Sequence, residues 1–144
     1  MSAARQYPAE LDRLAEIRLF VEDTVASLGG DRLDVHSLVQ AVDEAVTNVI
    51  MHGYRGQPGW IEVIIEKHAE KWIVCLRDQA PVFDPSLVPP PNLELPLAKR
   101  PIGGLGVFLI RQAVDQIIHR PLPDGGNELT LIRQSTASLS QSAG

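Results

Sequence analysis

The order of apolar and polar residues predicts two helices in the first third of the chain. Between residues 8 and 28 apolar side chains recur at helical spacing, and Gly29 and Gly30 mark the end of that segment. A second helical segment begins within residues 31–35 and continues to His52, where Gly53 is the predicted stop. The first third of the chain is therefore predicted to be mainly helical.

The pattern then changes to the period of a strand. Residues 60–67 and 72–77 form two strand segments, and the short link between them predicts an antiparallel hairpin. A glycine-rich turn leads into an amphipathic helix over residues 107–118, and a last strand covers residues 128–133. Helices and hairpin strands occupy separate blocks, which favours an α+β fold of two layers over a doubly wound parallel sheet.

A proline-rich segment interrupts this order. Seven of the eleven prolines fall between Pro81 and Pro101, which excludes a regular helix or a central strand there. Loops of such length in a small domain are usually functional lids or disordered segments. The small, polar residues 134–144 predict a disordered tail.

Composition and charge narrow the class of protein. A chain of 144 residues with 44% hydrophobic and 22% charged residues is typical of one globular domain. Its net charge of −5 argues against direct nucleic-acid binding, and its single cysteine, Cys75, excludes an internal disulfide framework. No stretch approaches the ~20 apolar residues of a membrane span, and the first ten residues have no signal-peptide core. We therefore expect a cytoplasmic protein without a membrane contact.

Three polar residues stand at four-residue steps in the second predicted helix. Glu44, Asn48 and His52 rotate by only about 40° per step, so they form one stripe along the edge of the apolar face. The amide oxygen of Asn48 suits a hard cation such as Mg²⁺, and Glu44 can accept a proton from a hydroxyl attacking a phosphate. The alternative is that these are ordinary polar residues at a helix boundary.

Asp78 ends the second strand of the predicted hairpin, just before the proline-rich segment. A carboxylate at a strand end that points into a cleft can accept a hydrogen bond from a base amino group such as that of adenine. The alternative is an aspartate that caps a turn.

Closely spaced glycines come directly before the last predicted helix. Gly103, Gly104 and Gly106 would let backbone amides approach an anion, and the N-terminus of the helix adds a favourable dipole. Lys99 and Arg100 place two cations just upstream, although charged residues on a loop are also common on a solvated surface. The alternative for the glycines is a flexible lead into the helix.

The order of these pieces is more specific than any one of them, and it resembles a known family. The chain is similar to the GHKL (Bergerat-fold) ATPases, above all to their small branch of bacterial anti-sigma factors that act as serine/threonine protein kinases. AVDEAVTNVIMHGY resembles the N box of that branch, DQAPVFDP its first glycine box, GGLGVFLIRQAVDQI its second, and GGNELTL its closing strand. The resemblance runs from about residue 8 to residue 133.

The resemblance implies both an architecture and a set of roles. It implies one histidine kinase-like ATPase domain over residues 1–133, with helices covering one face of a mostly antiparallel mixed sheet and an ATP lid over about 84–102. It implies ATP and Mg²⁺, with Asn48 on the metal ion and Glu44 as general base. Asp78 would hold the adenine amino group, with Thr130 nearby through a water. Further nucleotide-binding positions are His52, Ala80, Lys99, Arg100, Gly103, Gly104 and Gly106.

Two positions depart from the family pattern. Ala80 stands where the first glycine box has glycine, so we expect either backbone strain or a pocket narrowed by one methyl group. The family also opens with a full strand, whereas only residues 5–7 are predicted to form one here. Because that strand can belong to a dimer contact, the sequence leaves open whether the protein is a homodimer.

Three functions are compatible with these residues. The first is an anti-sigma factor that holds a sigma factor and phosphorylates a Ser or Thr of an anti-sigma factor antagonist. The second is a nucleotide-dependent or nucleotide-free binding module with little kinase turnover, which Ala80 and the proline-rich lid would fit. The third, a detached catalytic domain of a sensor histidine kinase, is disfavoured because no phosphoacceptor helix precedes Pro8.

Overall fold

The computed structural model describes residues 1–87 and 104–136. Most of the predicted lid and most of the predicted tail lie outside these ranges, as do the candidate residues Lys99, Arg100 and Gly103. Among the described helices, none has the length and apolar character that crossing a membrane requires.

Within the described ranges the chain forms five strands and three helices. The strands are β1 (Ser2–Pro8), β2 (Trp60–His68), β3 (Lys71–Asp78), β4 (Gln116–Pro121) and β5 (Asn127–Gln134). The helices are α1 (Leu14–Ser27), α2 (Arg32–Asn48) and α3 (Gly104–Ala113). Short 3₁₀ turns cover Leu11–Arg13 and Pro85–Leu87, and a π-helical turn, Val49–Tyr54, continues α2.

The strands form one sheet in the order β1-β2-β3-β5-β4, and all four pairings are antiparallel. The expected mixed sheet is therefore corrected, for the described strands, to a purely antiparallel one. Alternate residues of β2, β3 and β5 are buried in one core with residues of α1 and α2. Its largest fully buried side chains include Ile17, Val21, Leu38, Val42, Ile61, Ile65, Trp72, Leu76 and Leu131. This confirms the predicted α+β sandwich.

The first strand is longer than predicted. β1 pairs with β2 over seven positions, from Ser2 opposite Glu66 to Pro8 opposite Trp60. Apart from Tyr7, its side chains are exposed or half-exposed, so it carries little of the apolar alternation by which strands are recognised. Backbone pairing to a neighbouring strand forms this element, and the prediction of a strand limited to residues 5–7 was wrong.

Two boundaries near the end of the chain also differ from the prediction. The helix predicted over 107–118 ends at Ala113, and Gln116–Pro121 forms the edge strand β4 instead. Adjacent isoleucines fit either period, and pairing with β5 decides in favour of the strand. The predicted tail begins too early, because Gln134 ends β5 and the next two residues, Ser135 and Thr136, both donate hydrogen bonds to Asp34.

Candidate functional site

The second helix does not stop at Gly53. A π-helical turn carries it on to Tyr54, and Arg55 ends it in the left-handed conformation with φ of 53°. The predicted stop was therefore two residues early. His52 lies within this wider turn.

Tyr54 explains why the turn continues. The ring of Tyr54 is buried, and its hydroxyl donates to the carbonyl oxygen of Trp60 at 2.7 Å. The hydroxyl oxygen of Tyr54 in turn accepts a hydrogen bond from the backbone N–H of Gln79 at 2.8 Å. Both bonds are partly buried, and they give the hydroxyl of the buried Tyr54 an acceptor and a donor. The turn is thereby fastened to the ends of β2 and β3, next to Asp78.

Glu44 and Asn48 lie against the first turn of α3. A Cβ atom built onto Gly106 would lie 3.1 Å from Oε2 of Glu44, and 3.3 and 3.4 Å from Nδ2 and Oδ1 of Asn48. The missing side chain at Gly106 thus lets the α3 backbone approach both polar groups. Because the first amides of a helix have no partner within the helix, this end of α3 is suited to an anion.

Glu44 is half-buried, and its surroundings disfavour its charge. Burial raises the pKa of the Glu44 carboxyl, and the negative charge of neighbouring Asp43 raises it further. Asp43 is itself paired with Arg18, whose Nη1 lies 2.7 Å from Oδ1 of Asp43. A carboxylate with a raised pKa is a stronger base once it is ionised, which is what proton abstraction from a hydroxyl needs.

A pocket lies between α2, α3 and the ends of β3 and β5, and we call it the central pocket. Its polar lining consists of Asn48, Asp78, His119 and Asn127. The rest is apolar or small and comprises Ala45, Val49, Gly53, Ala80, Pro81, Phe83, Pro85, Ile110 and Leu129. A mostly apolar pocket with a few convergent polar groups is typical of a small-molecule site.

Asp78 is the buried carboxylate of the central pocket, with 3% of its surface exposed. Its Oδ1 accepts hydrogen bonds from the backbone N–H of Ala80 and from Nδ2 of Asn127, both at 2.9 Å. Burial raises the pKa of Asp78, and these two hydrogen bonds offset only part of that effect. Within the described residues Oδ2 receives no hydrogen bond, so this oxygen is the one available to a ligand amino group.

Ala80 occupies the central pocket without backbone strain. Its φ is not positive, so the strain that glycine would avoid does not arise here. Its methyl group is buried and faces Gly53, where an added Cβ would lie 3.0 Å from the Cβ of Ala80. The methyl group therefore narrows the pocket, as one of the two alternatives for Ala80 predicted. It fits there because Gly53 has no side chain.

Thr130 does not lie in the central pocket. In β5 it pairs with Cys75 on one side and Ile118 on the other. Since side chains alternate along a strand, all three lie on the face of the sheet opposite Asp78 and the helices. The expected contact between Thr130 and a base held by Asp78 is therefore corrected.

Asn127 is the β5 residue that stands beside Asp78. It pairs directly with Asp78 across β3 and β5, and it shares its face with the buried Leu129 and Leu131. Gly126, with φ of 101°, lets the preceding turn approach the Asp78 backbone closely. Sequence reasoning missed Asn127, although counting back in steps of two from the buried leucines would have found it.

The remaining candidates fall in different places. His52 is exposed and lines an open groove beside the central pocket, together with Met51, Val82 and others. Asn48 lines both the groove and the central pocket. Gly104 is the first residue of α3.

The described residues fit a magnesium ion that takes most of its ligands from elsewhere. Within the described part of the chain there is no cluster of three or more His, Cys, Asp or Glu side chains that would cage a metal ion. Mg²⁺ commonly keeps several waters and takes phosphate oxygens from a substrate, so it needs few ligands from the protein. The amide oxygen of Asn48, beside the carboxylate of Glu44, suits such a site.

Comparisons with known proteins agree with this geometry. The family model described as "Histidine kinase-like ATPase domain" matches residues 7–133. The serine-protein kinase RsbW of Bacillus cereus (strain Q1) is 29% identical over 118 residues, which cover 78% of this chain and 74% of that protein. RsbW of Bacillus anthracis matches with the same identity and the same coverage.

A solved structure shares the fold. The RsbU and RsbW domains of Rv1364c from Mycobacterium tuberculosis match 94% of this chain with a TM-score of 0.67 and 17% sequence identity. The chain spans about a third of that longer protein, 32% of its length. The predicted Bergerat-type α+β fold is thereby confirmed.

Proposed function

The chain belongs to the histidine kinase-like ATPase domain family, and on that premise we propose that it is an ATP-binding anti-sigma factor with serine/threonine kinase activity. It would hold a sigma factor, and it would phosphorylate a Ser or Thr of an anti-sigma factor antagonist. Such a switch protein works in the cytoplasm, where ATP and sigma factors are found. Residues 1–133 would form the histidine kinase-like ATPase domain, with the lid over about 84–102.

One observation carries this proposal. Glu44 and Asn48 lie together against Gly106 at the start of α3, and Asn48 also lines the pocket that contains Asp78. A carboxylate, an amide and a helix N-terminus thus adjoin a pocket with a buried hydrogen-bond acceptor. This is the set of groups that positions a nucleoside triphosphate and activates a hydroxyl.

The residues have separate roles in the proposed reaction. Oδ2 of Asp78 accepts the adenine amino group, and the amides at the start of α3 receive the phosphates. Asn48 would hold Mg²⁺, which supplies positive charge to the phosphates when it is bound. Glu44 accepts the proton of the Ser or Thr hydroxyl while the hydroxyl oxygen forms a bond to the γ-phosphorus of ATP and the bond to the leaving ADP breaks.

The partners are inferred by distant relationship alone. Relatives at 29% identity are named serine-protein kinases, and their name supports a protein hydroxyl as the acceptor. The net charge of −5 favours a protein partner over direct nucleic-acid binding.

The first test is calorimetric titration of the full chain with ATP, with and without Mg²⁺. We expect Asn48→Ala to weaken Mg²⁺-dependent ATP binding at least about tenfold, a loss of ~1.4 kcal/mol. His36→Ala is the matched control, because His36 is an exposed residue of the same helix. Wild-type protein that fails to bind ATP at millimolar concentration would contradict the proposal.

A second candidate function is a binding module with little kinase turnover, and the Ala80 methyl group in the central pocket favours it. Glu44→Gln separates the two functions once an acceptor protein is in hand. A kinase should lose phosphoryl transfer by about 10²–10⁴-fold while ATP binding stays within about threefold of wild type. If Glu44→Gln matches wild type in both assays, the binding module is the better description.

A further inference from the structure

Asn127 is buried, and its side-chain amide is fully engaged. Its Oδ1 accepts the backbone N–H of Phe83 at 2.9 Å, which fixes which end of the amide is oxygen. Its Nδ2 donates to Oδ1 of Asp78 at 2.9 Å, and lies 3.2 Å from the Pro81 carbonyl oxygen and 3.3 Å from that of Ala80. The amide therefore cannot rotate without breaking bonds at both ends.

His119 supplies the next bond of this network. Its Nε2 lies 2.7 Å from Oδ1 of Asn127, and its side chain is 4% exposed. Because Oδ1 of an amide can only accept, Nε2 must carry the proton and donate it. On the other side of the ring, Nδ1 lies 3.9 Å from the carboxylate of Asp84. His119 thus holds Asn127 in the orientation that faces its Nδ2 toward Asp78.

The network holds two different parts of the central pocket. One is the carboxylate of Asp78, whose Oδ1 is bound by Asn127, so that Oδ2 is left for a ligand. The other is residues 80–83, whose backbone bonds to Asn127 three times, through Ala80, Pro81 and Phe83. This segment leads into the predicted lid. The buried amide of Asn127 therefore fixes the orientation of the Asp78 carboxylate and the position of the backbone of residues 80–83, which forms the neighbouring wall of the pocket.

We propose that His119 and Asn127 are a positioning pair that fixes Asp78 for a 6-aminopurine and so determines selectivity for adenine over 6-oxopurine nucleotides. This inference rests on the proposed binding of ATP. The pair need not touch the base, since it acts through the carboxylate orientation and the wall that it fixes. Burial raises the pKa of Asp78, and the Asn127 hydrogen bond acts in the opposite direction.

Nucleotide selectivity tests this role in a way that folding stability does not. The full chain is titrated with ATP and with inosine triphosphate, which carries a 6-oxo group in place of the amino group. We expect wild type to prefer ATP, and Asn127→Leu to lower the ratio of the two affinities about tenfold. His119→Leu should lower the ratio similarly. His119→Gln keeps an N–H donor and should stay within about threefold of wild type.

The possible outcomes separate the positioning role of His119 and Asn127 from the proposed binding of ATP. If Asn127→Leu does not fold, His119→Leu and His119→Gln still give the comparison. Variants that weaken both nucleotides equally, with an unchanged ratio, would show a purely structural role and overturn the inference alone. Wild-type protein that binds neither nucleotide would overturn the proposed function, and the inference with it.

Discussion

At the scale of single residues, Ala80 and Gly53 face each other and limit the volume available to a ligand in the central pocket. Ala80 adds a methyl group that the family pattern lacks, and it does so without positive φ. The opposing position is a glycine, whose added Cβ would approach the Ala80 Cβ to 3.0 Å. Two positions 27 residues apart in the sequence therefore share one small volume. The effect of a substitution at one position on the free energy of unfolding should therefore depend on the residue at the other position.

This coupling can be measured by a double-mutant cycle. Gly53→Ala should lower the free energy of unfolding by crowding Ala80, and Ala80→Gly in the same chain should restore part of it. We expect a coupling free energy of about 1 kcal/mol from urea denaturation of the four proteins, since the two residues are in contact. Additive effects, within about 0.3 kcal/mol, would contradict the shared volume. ATP titration of the same proteins would show whether Ala80→Gly also strengthens binding.

The pKa of Glu44 predicts how the proposed kinase depends on pH. The carboxyl must be ionised to accept a proton, so phosphoryl transfer should fall as pH drops through its raised pKa. Burial and the charge of Asp43 both raise that pKa. Asp43→Asn removes the second cause, and it should move the acid limb of the pH–rate profile to lower pH. The rate at high pH should stay within about twofold of wild type.

Arg18→Gln is the matched control for this profile. It removes the partner of Asp43 and keeps the negative charge beside Glu44. The acid limb should therefore not move to lower pH in Arg18→Gln. An acid limb that is unchanged in Asp43→Asn would show that Glu44 is not the base, or that Asp43 does not act on it.

At the scale of elements, the sequence was informative where a face of an element is buried. The buried alternation of β2 and β3 allowed the hairpin to be predicted to within about one residue at most ends. The 100° periodicity of α2 placed Glu44 and Asn48 on one stripe, and both contact the start of α3. In these elements local pattern and tertiary packing agree.

The strands at the edges of the sheet were predicted only in part: residues 5–7 of β1 were expected to form a strand, and β4 was taken for the end of a helix. β1 and β4 each have one neighbouring strand and few buried side chains, so pairing forms them with little help from apolar alternation. His119 belongs to β4, and its role was missed with the strand. The π-helical turn was missed for a similar reason, because distant bonds from Tyr54 to Trp60 and Gln79 draw the helix on past Gly53.

At the scale of the whole molecule, Asp34 connects the start of α2 to the end of β5 and the residues that follow it. It lies in the first turn of α2, and its fully buried carboxylate accepts from Nε of Arg133 at 3.3 Å, near the end of β5. The N–H and hydroxyl of Thr136 donate to the same oxygen at 3.0 and 2.9 Å, and Ser135 donates to the other at 3.3 Å. These bonds hold the last described residues against α2, the helix that carries Glu44 and Asn48.

Asp34 should therefore govern global stability and its loss in acid. Burial by itself raises the pKa of Asp34, but the hydrogen bonds from Thr136 and its neighbours outweigh it, so the folded-state pKa lies below the ordinary value of 3.8. The carboxylate then stabilises the fold fully above that ordinary value, and the contribution is lost as pH falls through the lower, folded-state pKa. Asp34→Asn should cost roughly 3 kcal/mol at pH 7, because it leaves the partly buried Arg133 without its charge partner.

Urea denaturation at several pH values checks this prediction. The gap between wild type and Asp34→Asn should be constant from pH 7 to pH 5, and it should narrow below about pH 3.8, where the Asp34 carboxyl of the unfolded wild type begins to bind a proton. Asp124→Asn is the control, since Asp124 is exposed and should give a gap of no more than about 0.5 kcal/mol at any pH. A gap for Asp34→Asn that persists unchanged below pH 3 would mean that the shape of the side chain stabilises the fold, and that its charge does not.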